Sequence, residues 1–268
     1  MVNHVRLFSW LTLLLVLALM LPTASAQSTT LNGSYGFLIS ALVAQGSNDG
    51  GSAVLGLMNF DGAGNMSGAY TFEVGDSADQ PGGLNLTGAL TGTYTTNADS
   101  TGTLNVTLDV GLSFTFGMVL TDGGQGLQLV ATGCADPCDI RGTVASGVAR
   151  VAHPGSLKGS YGYQFAILPN ASVSIGSLSF DGAGNVTSSL LFVGAGKDDP
   201  HQPPVVTGNL TGTYTLNPDG SGTIHFPPSD QSNNQTFSFV SVDGGAALLV
   251  VQTGRLGNGV SFGTARMQ

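Results

Sequence analysis

The second half of this sequence matches its first half, string for string and in the same order. LNGSYGF at 31–37 returns as LKGSYGY at 157–163, and FDGAGN at 60–65 returns intact at 180–185. LTGTYTTNAD at 90–99 pairs with LTGTYTLNPD at 210–219, and TGTL at 101–104 with SGTI at 221–224. FTF at 114–116 aligns with FSF at 237–239, DGG at 122–124 with DGG at 243–245, and GVAR at 147–150 with GTAR at 263–266. The offset is 126 at the start, 120 through the middle and 116 at the end. The copies therefore differ in loop lengths while their cores stay in step. A period near 120 residues is domain-sized, far longer than a solenoid repeat. The reading is two tandem domains, 27–152 and 153–268, meeting near His153-Pro154-Gly155.

Residues 1–26 read as a secretory signal peptide. Arg6 supplies the positive n-region, Leu11 to Leu21 the apolar run, and Ala24-Ser25-Ala26 a small-residue cleavage pattern. That run is short for a membrane span, so the expectation is a secreted, extracellular or periplasmic protein that does not span a membrane. Beyond Arg6, the chain keeps 6 of its 7 basic residues against 16 acidic ones. So acidic a chain repels phosphate backbones, which argues against nucleic acid as a partner.

Within each copy the hydrophobic period is two. Leu104, Val106, Leu108 and Val110 share one face, opposite Thr103, Asn105, Thr107 and Asp109. Leu112, Phe114, Phe116, Met118 and Leu120 repeat the pattern, as do Met66, Tyr70, Phe72 and Val74. Such alternation marks half-buried strands, and no segment after residue 26 has a helical period. Eight strands are expected in copy one, at about 33–43, 53–60, 65–74, 85–95, 102–110, 112–120, 126–132 and 142–151, with eight counterparts in copy two. The fold class is all-β: two tandem eight-stranded antiparallel up-and-down barrels. A two-sheet sandwich is the rival, because strand count does not separate the two.

FDGAGN lies between two alternating strands. Its Asp-Gly and Gly-Asn pairs tolerate the positive φ of a tight hairpin, with Phe60 and Met66 turned to the core. A calcium loop would need several carboxylates, and this one offers only Asp61 or Asp181. In a meander the links between strands 2–3, 4–5 and 6–7 share one end, and these are the short turns that match between copies. The opposite end carries the length differences: 44–52, 75–84 and 133–141 in copy one, 194–206, 227–235 and 254–259 in copy two. That end is the candidate binding mouth. Its candidate ligand-binding residues are Asp49, Asp76, Asp79, Asp136 and Asp139, then Lys197, Asp198, Asp199, His201 and Asp230. Solvated loop charge is the plain alternative for all ten.

Cys134 and Cys138 are spaced C-x3-C, for which a local disulfide is the expectation in an exported chain. Zinc or redox chemistry would want a second pair or a nearby His. His153, His201 and His225 belong to no metal motif, and G-x-S-x-G is absent. Glu73, the only Glu, falls on a polar strand face and is expected in solvent. No catalytic residue, metal or cofactor is assigned, and the expectation is a non-enzyme.

The strings FDGAGN, LTGTYT-x-N-x-D and the terminal GTAR resemble a loose group of bacterial secreted proteins with a DGAGN…TGTYT…DGTGT pattern in their β-domains. The resemblance implies exported β-domains and carries no activity with it. The expected architecture is also similar to that of calycins, although no Trp follows residue 26 to supply a lipocalin Gly-x-Trp or an avidin-like pocket. The functional expectation is a non-catalytic barrel that binds a small apolar or amphipathic ligand at the long-loop end. A structural, surface-associated module with solid cores is the alternative. A single outer-membrane barrel of about 16 strands comes third.

Overall fold

The structure is a computed structural model. It describes residues 30–43, 51–75, 84–135, 143–153, 155–168, 172–194, 205–228, 234–253 and 260–268. Copy one forms β1 (Asn32–Val43), β2 (Ser52–Asp61), β3 (Asn65–Val74), β4 (Leu84–Thr96), β5 (Thr101–Leu108), β6 (Ser113–Thr121), β7 (Gly126–Cys134) and β8 (Thr143–Val151). Copy two forms β9 (Lys158–Leu168), β10 (Ser172–Asp181), β11 (Asn185–Val193), β12 (Val205–Leu216), β13 (Ser221–Phe226), β14 (Gln235–Val242), β15 (Ala247–Gln252) and β16 (Val260–Met267).

Every neighbouring pair is antiparallel, and both sheets close. β1 pairs with β8 from Tyr35↔Val151 to Val43↔Thr143, and β9 pairs with β16 from Tyr161↔Met267 to Leu168↔Val260. Closure at these seams replaces the sandwich alternative with two barrels and also sets aside one 16-stranded barrel. The alternation read from sequence holds: Leu104, Val106, Phe116, Met118 and Leu120 are buried inside barrel one. Val110 departs from it, because β5 ends at Leu108 and Val110 sits exposed in the following turn. The FTF/FSF alignment is out of step by two residues. Leu104 faces Phe116 across β5–β6, whereas its counterpart Ile224 faces Phe237 across β13–β14, so Phe116 matches Phe237.

FDGAGN is a hairpin turn in both copies. The Asp61 carboxylate accepts from the backbone N–H of Ala63 at 2.7 Å and of Asn65 at 3.0 Å, and from Asn65 Nδ2 at 2.7 Å. Asp181 repeats all three contacts with Ala183 and Asn185. Those hydrogen bonds, the Asn side chain first, hold both carboxyls below their ordinary pKa. Gly62 and Gly64, at φ 76° and 96°, supply the left-handed backbone that the turn requires. The DGG strings form short 3-10 turns before β7 and β15, and in copy one Asp122 accepts from Arg150 of the GVAR string at 2.6 Å.

The barrels dock side by side. Outward residues of β1 and β2 (Leu38, Ala53, Leu55, Leu57) join outward residues of β14 and β15 (Val240, Val242, Leu249, Val251) in a third apolar cluster. β15 is consequently buried on both faces, Leu248 and Val250 inward, Leu249 and Val251 against barrel one. Gly36 and Gly51 mark close approaches: a Cβ on Gly36 would lie 2.5 Å from a methyl of Val240, and one on Gly51 2.2 Å from the Cβ of Leu168. Beyond β8, Ala152 bridges to Val242, and His153 donates its N–H to the Ser241 carbonyl at 3.0 Å. Burial of this outer face corrects the reading of Glu73. It is turned away from the interior of barrel one but is only 9% exposed. Asn85 donates to its carboxylate and, at 3.3 Å, to the carbonyl of Thr253 in barrel two.

Candidate functional site

The strings shared by the two copies meet at one place in each barrel, the tight-turn end. In barrel one Phe60 is gripped edge-on by Tyr35, at 5.2 Å between ring centres, and by Tyr94, at 5.0 Å. Tyr35 donates its hydroxyl to the Gly124 carbonyl at 2.6 Å, and Tyr94 donates to the Leu31 carbonyl at 2.7 Å. Leu31 itself is fully buried beneath them. Barrel two repeats the arrangement with Phe180 between Tyr161 and Tyr214, whose hydroxyls reach Gly245 and Leu157. Burial raises the pKa of Tyr35 and Tyr161, which keeps both protonated as donors. Each string thus supplies a piece of a stopper: Leu and Tyr from LxGSYG, Phe from FDGAGN, Tyr from TGTY, a carbonyl from DGG.

Above the stopper, in the half nearer the long links, each barrel is hollow. The cavity in barrel one is about 200 Å³, lined by residues such as Phe37, Val54, Phe72, Leu108, Phe114 and Ala131, with Ser52 the single polar residue among the described lining. The cavity in barrel two is about 210 Å³ and occupies the corresponding half, between Tyr163, Phe165, Leu190, Phe192, Phe226 and Phe237. Its wall also carries Ser174, Ser188, Gln235, Gln252 and Ser261. An engineered apolar cavity of about 150 Å³ is known to take up benzene, so spaces of this size suit a small aromatic ring or a short acyl chain.

The ten loop residues singled out from sequence (Asp49, Asp76, Asp79, Asp136, Asp139, Lys197, Asp198, Asp199, His201 and Asp230) all lie outside the described residues. So does Cys138; Cys134 ends β7, and no cysteine among the described residues is free. His153 and His225 are both exposed, and they stand apart at the inter-barrel link and on β13. Among the described residues no three His, Cys, Asp or Glu side chains gather as metal ligands.

Within barrel one the structure brings together a further polar pair that the sequence did not suggest. Tyr70, buried in barrel one, donates to Asp109 Oδ1 at 2.9 Å, and Asp109 Oδ2 accepts from the Ala89 N–H at 2.9 Å. These bonds hold the Asp109 carboxyl below its ordinary pKa, the backbone N–H contributing most. Gly88 makes the pair feasible, since a Cβ at that position would lie 2.3 Å from Asp109 Oδ1. Asp109 shares a strand-face pattern with Thr103 and Asn105, so nothing in its spacing set it apart.

No family model and no curated protein matches the sequence. Among solved structures the chain is similar to a kievitone hydratase from Nectria haematococca, at 8% identity and a TM-score of 0.26, covering 91% of this chain and 90% of that one. It is also similar to transferrin-binding protein B of Haemophilus parasuis, a vaccine antigen, at 6% identity and a TM-score of 0.29, covering 87% and 75%. CghA, solved with Sch210972, follows at 8% identity and a TM-score of 0.25, covering 88% of each chain. At these values none of the three lends its chemistry to this protein. The expectation of a non-enzyme is nevertheless corrected here. A hydratase stands among the similar structures; a missing motif by itself excludes no chemistry. Among the described residues no helix is long and apolar enough to cross a membrane.

Proposed function

We propose that the protein is an exported β-barrel binding module. Residues 1–26 are removed, and the two copies, 27–152 and 153–268, each hold a small apolar or amphipathic molecule. The observation that carries this reading is the pair of hollow, largely apolar spaces of about 200 and 210 Å³, set in the same half of each barrel. Protein interiors are otherwise close-packed, and an unfilled apolar space forfeits the contacts that would line it. Keeping such a space twice, above an aromatic stopper repeated residue for residue, is what a binding barrel requires. The length differences between the copies fall in the links at the hollow end, which supports different ligands in the two copies.

Native mass spectrometry of residues 27–268, purified from an exporting host, tests the reading. The expected result is an added small mass lost on denaturation, or thermal stabilisation by small aromatic probes added to the purified chain. A clean apo mass, together with no stabilisation by any probe that fits about 200 Å³, would leave a structural module with empty cores.

A further inference from the structure

The two cavities have the same place and size but not the same chemistry. By the offsets of the flanking strings, Ser174, Ser188, Gln235, Gln252 and Ser261 in barrel two stand where barrel one has Val54, Gly68, Phe114, Ala131 and Ala145. Four polar side chains thus replace apolar ones around the same space, and Ser188 adds a hydroxyl where barrel one has a glycine. Gln252 is the most telling of them. It follows Leu248 and Val250 on the inward face of β15, is only 6% exposed, and its amide Nε2 has no hydrogen-bond partner among the described residues. Val251 faces Phe262 across β15–β16, so the next pair in that register sets Gln252 beside Ser261, which is 5% exposed. β11, carrying Ser188, stands across the barrel from β15.

A buried amide donor without a partner is costly, and at such a position a leucine would pack without that cost. A ligand oxygen that accepts from the donor would remove that cost. No charged side chain is among the described residues lining this cavity, so a buried carboxylate would find no counter-ion there. Resting on the binding reading above, we propose that barrel two selects a neutral molecule carrying a carbonyl-type oxygen, which accepts from Gln252 Nε2. The rest of that molecule lies against Phe165, Phe192 and Phe226. Barrel one, lacking such a donor, takes a plain hydrocarbon surface of similar size.

Acetophenone and α-methylstyrene test this, because they share a shape and differ in C=O against C=CH2. Each is titrated into residues 27–268 and followed by NMR at the Gln252 side-chain amide and at methyl groups of both barrels. Acetophenone is expected to favour barrel two and to move the Gln252 amide resonance, whereas α-methylstyrene moves that resonance little. Gln252→Leu is expected to weaken acetophenone binding in barrel two by about five- to tenfold, the worth of one hydrogen bond, while raising the melting temperature of the unliganded protein. Equal binding of the two probes in barrel two, or an unmoved Gln252 amide in the saturated wild-type protein, would overturn the assignment and leave the binding reading intact. Failure of both probes to enter either barrel would count against the binding reading itself and the assignment with it.

Discussion

Replacing Phe60 by Ala is expected to destabilise barrel one by about 3–5 kcal/mol, and Phe180→Ala to do the same to barrel two. Both phenylalanines are 3% exposed. Each sits between two tyrosines edge-on, so truncation removes a buried ring, two aromatic contacts worth roughly 0.5–1.5 kcal/mol each, and the support of the tyrosines that close the barrel floor. The surrounding hydroxyls make collapse around the gap difficult. Tyr35 and Tyr94 are tied to carbonyls of Gly124 and Leu31, and moving either ring inward would strand a buried polar group. Denaturant unfolding of each variant measures the loss. A cost under about 1 kcal/mol would show that the stopper does not hold the floor. Tyr35→Phe and Tyr161→Phe, which keep the ring and delete one hydrogen bond, are expected to cost only about 1 kcal/mol each.

The stopper also explains what was legible in the sequence. Strand positions were readable because each strand has one dry face, so Met66, Tyr70, Leu104 and Met118 fall at a strict period of two. The hairpin role of FDGAGN was readable because Asp-Gly and Gly-Asn have few other uses between alternating strands. Closed barrels were the expectation from eight strands in a meander, but the sandwich stayed open as a rival, because the pairing of β1 with β8 joins residues a hundred or more positions apart and no local pattern reports it. The meaning of the shared strings was not readable, since Leu31, Tyr35, Phe60 and Tyr94 meet only when the barrel is closed. Gln252 was hidden for a different reason. It ends ALLVVQ, a strand buried on both faces, where alternation between wet and dry residues vanishes. The loop charges rest on loop length alone and lie outside the described residues, whereas the described cavities are built from strand residues.

Glu73 shows the same limit on a single residue and yields the second large effect. On β3 it alternates with inward-facing Phe72, so its spacing puts it on the outer face, which is normally wet. The docked second barrel covers that face. Burial pushes the Glu73 carboxyl up from 4.5 to about 7, and the hydrogen bond from Asn85 offsets only part of that rise. A carboxyl whose pKa is raised on folding binds its proton more tightly in the folded state. Its contribution to stability is fully present below about pH 4.5 and is lost as pH rises through about 7. The change across that window is at most about 3 kcal/mol. Asp61 and Asp181 run the opposite way: their lowered pKa values stabilise above pH 3.8, the ordinary carboxyl value, and that stabilisation is lost as pH falls further. The two windows do not overlap, and the difference between wild-type and Glu73→Gln unfolding midpoints from pH 5 to pH 8 isolates Glu73 from the other groups that titrate there. Wild-type stability is expected to fall across that range. Glu73→Gln, which keeps an oxygen for Asn85 without a charge, is expected to flatten the profile and to be the more stable protein at pH 8. Wild-type and Glu73→Gln midpoints that run parallel from pH 5 to pH 8 would show that burial does not hold the Glu73 carboxyl up in solution.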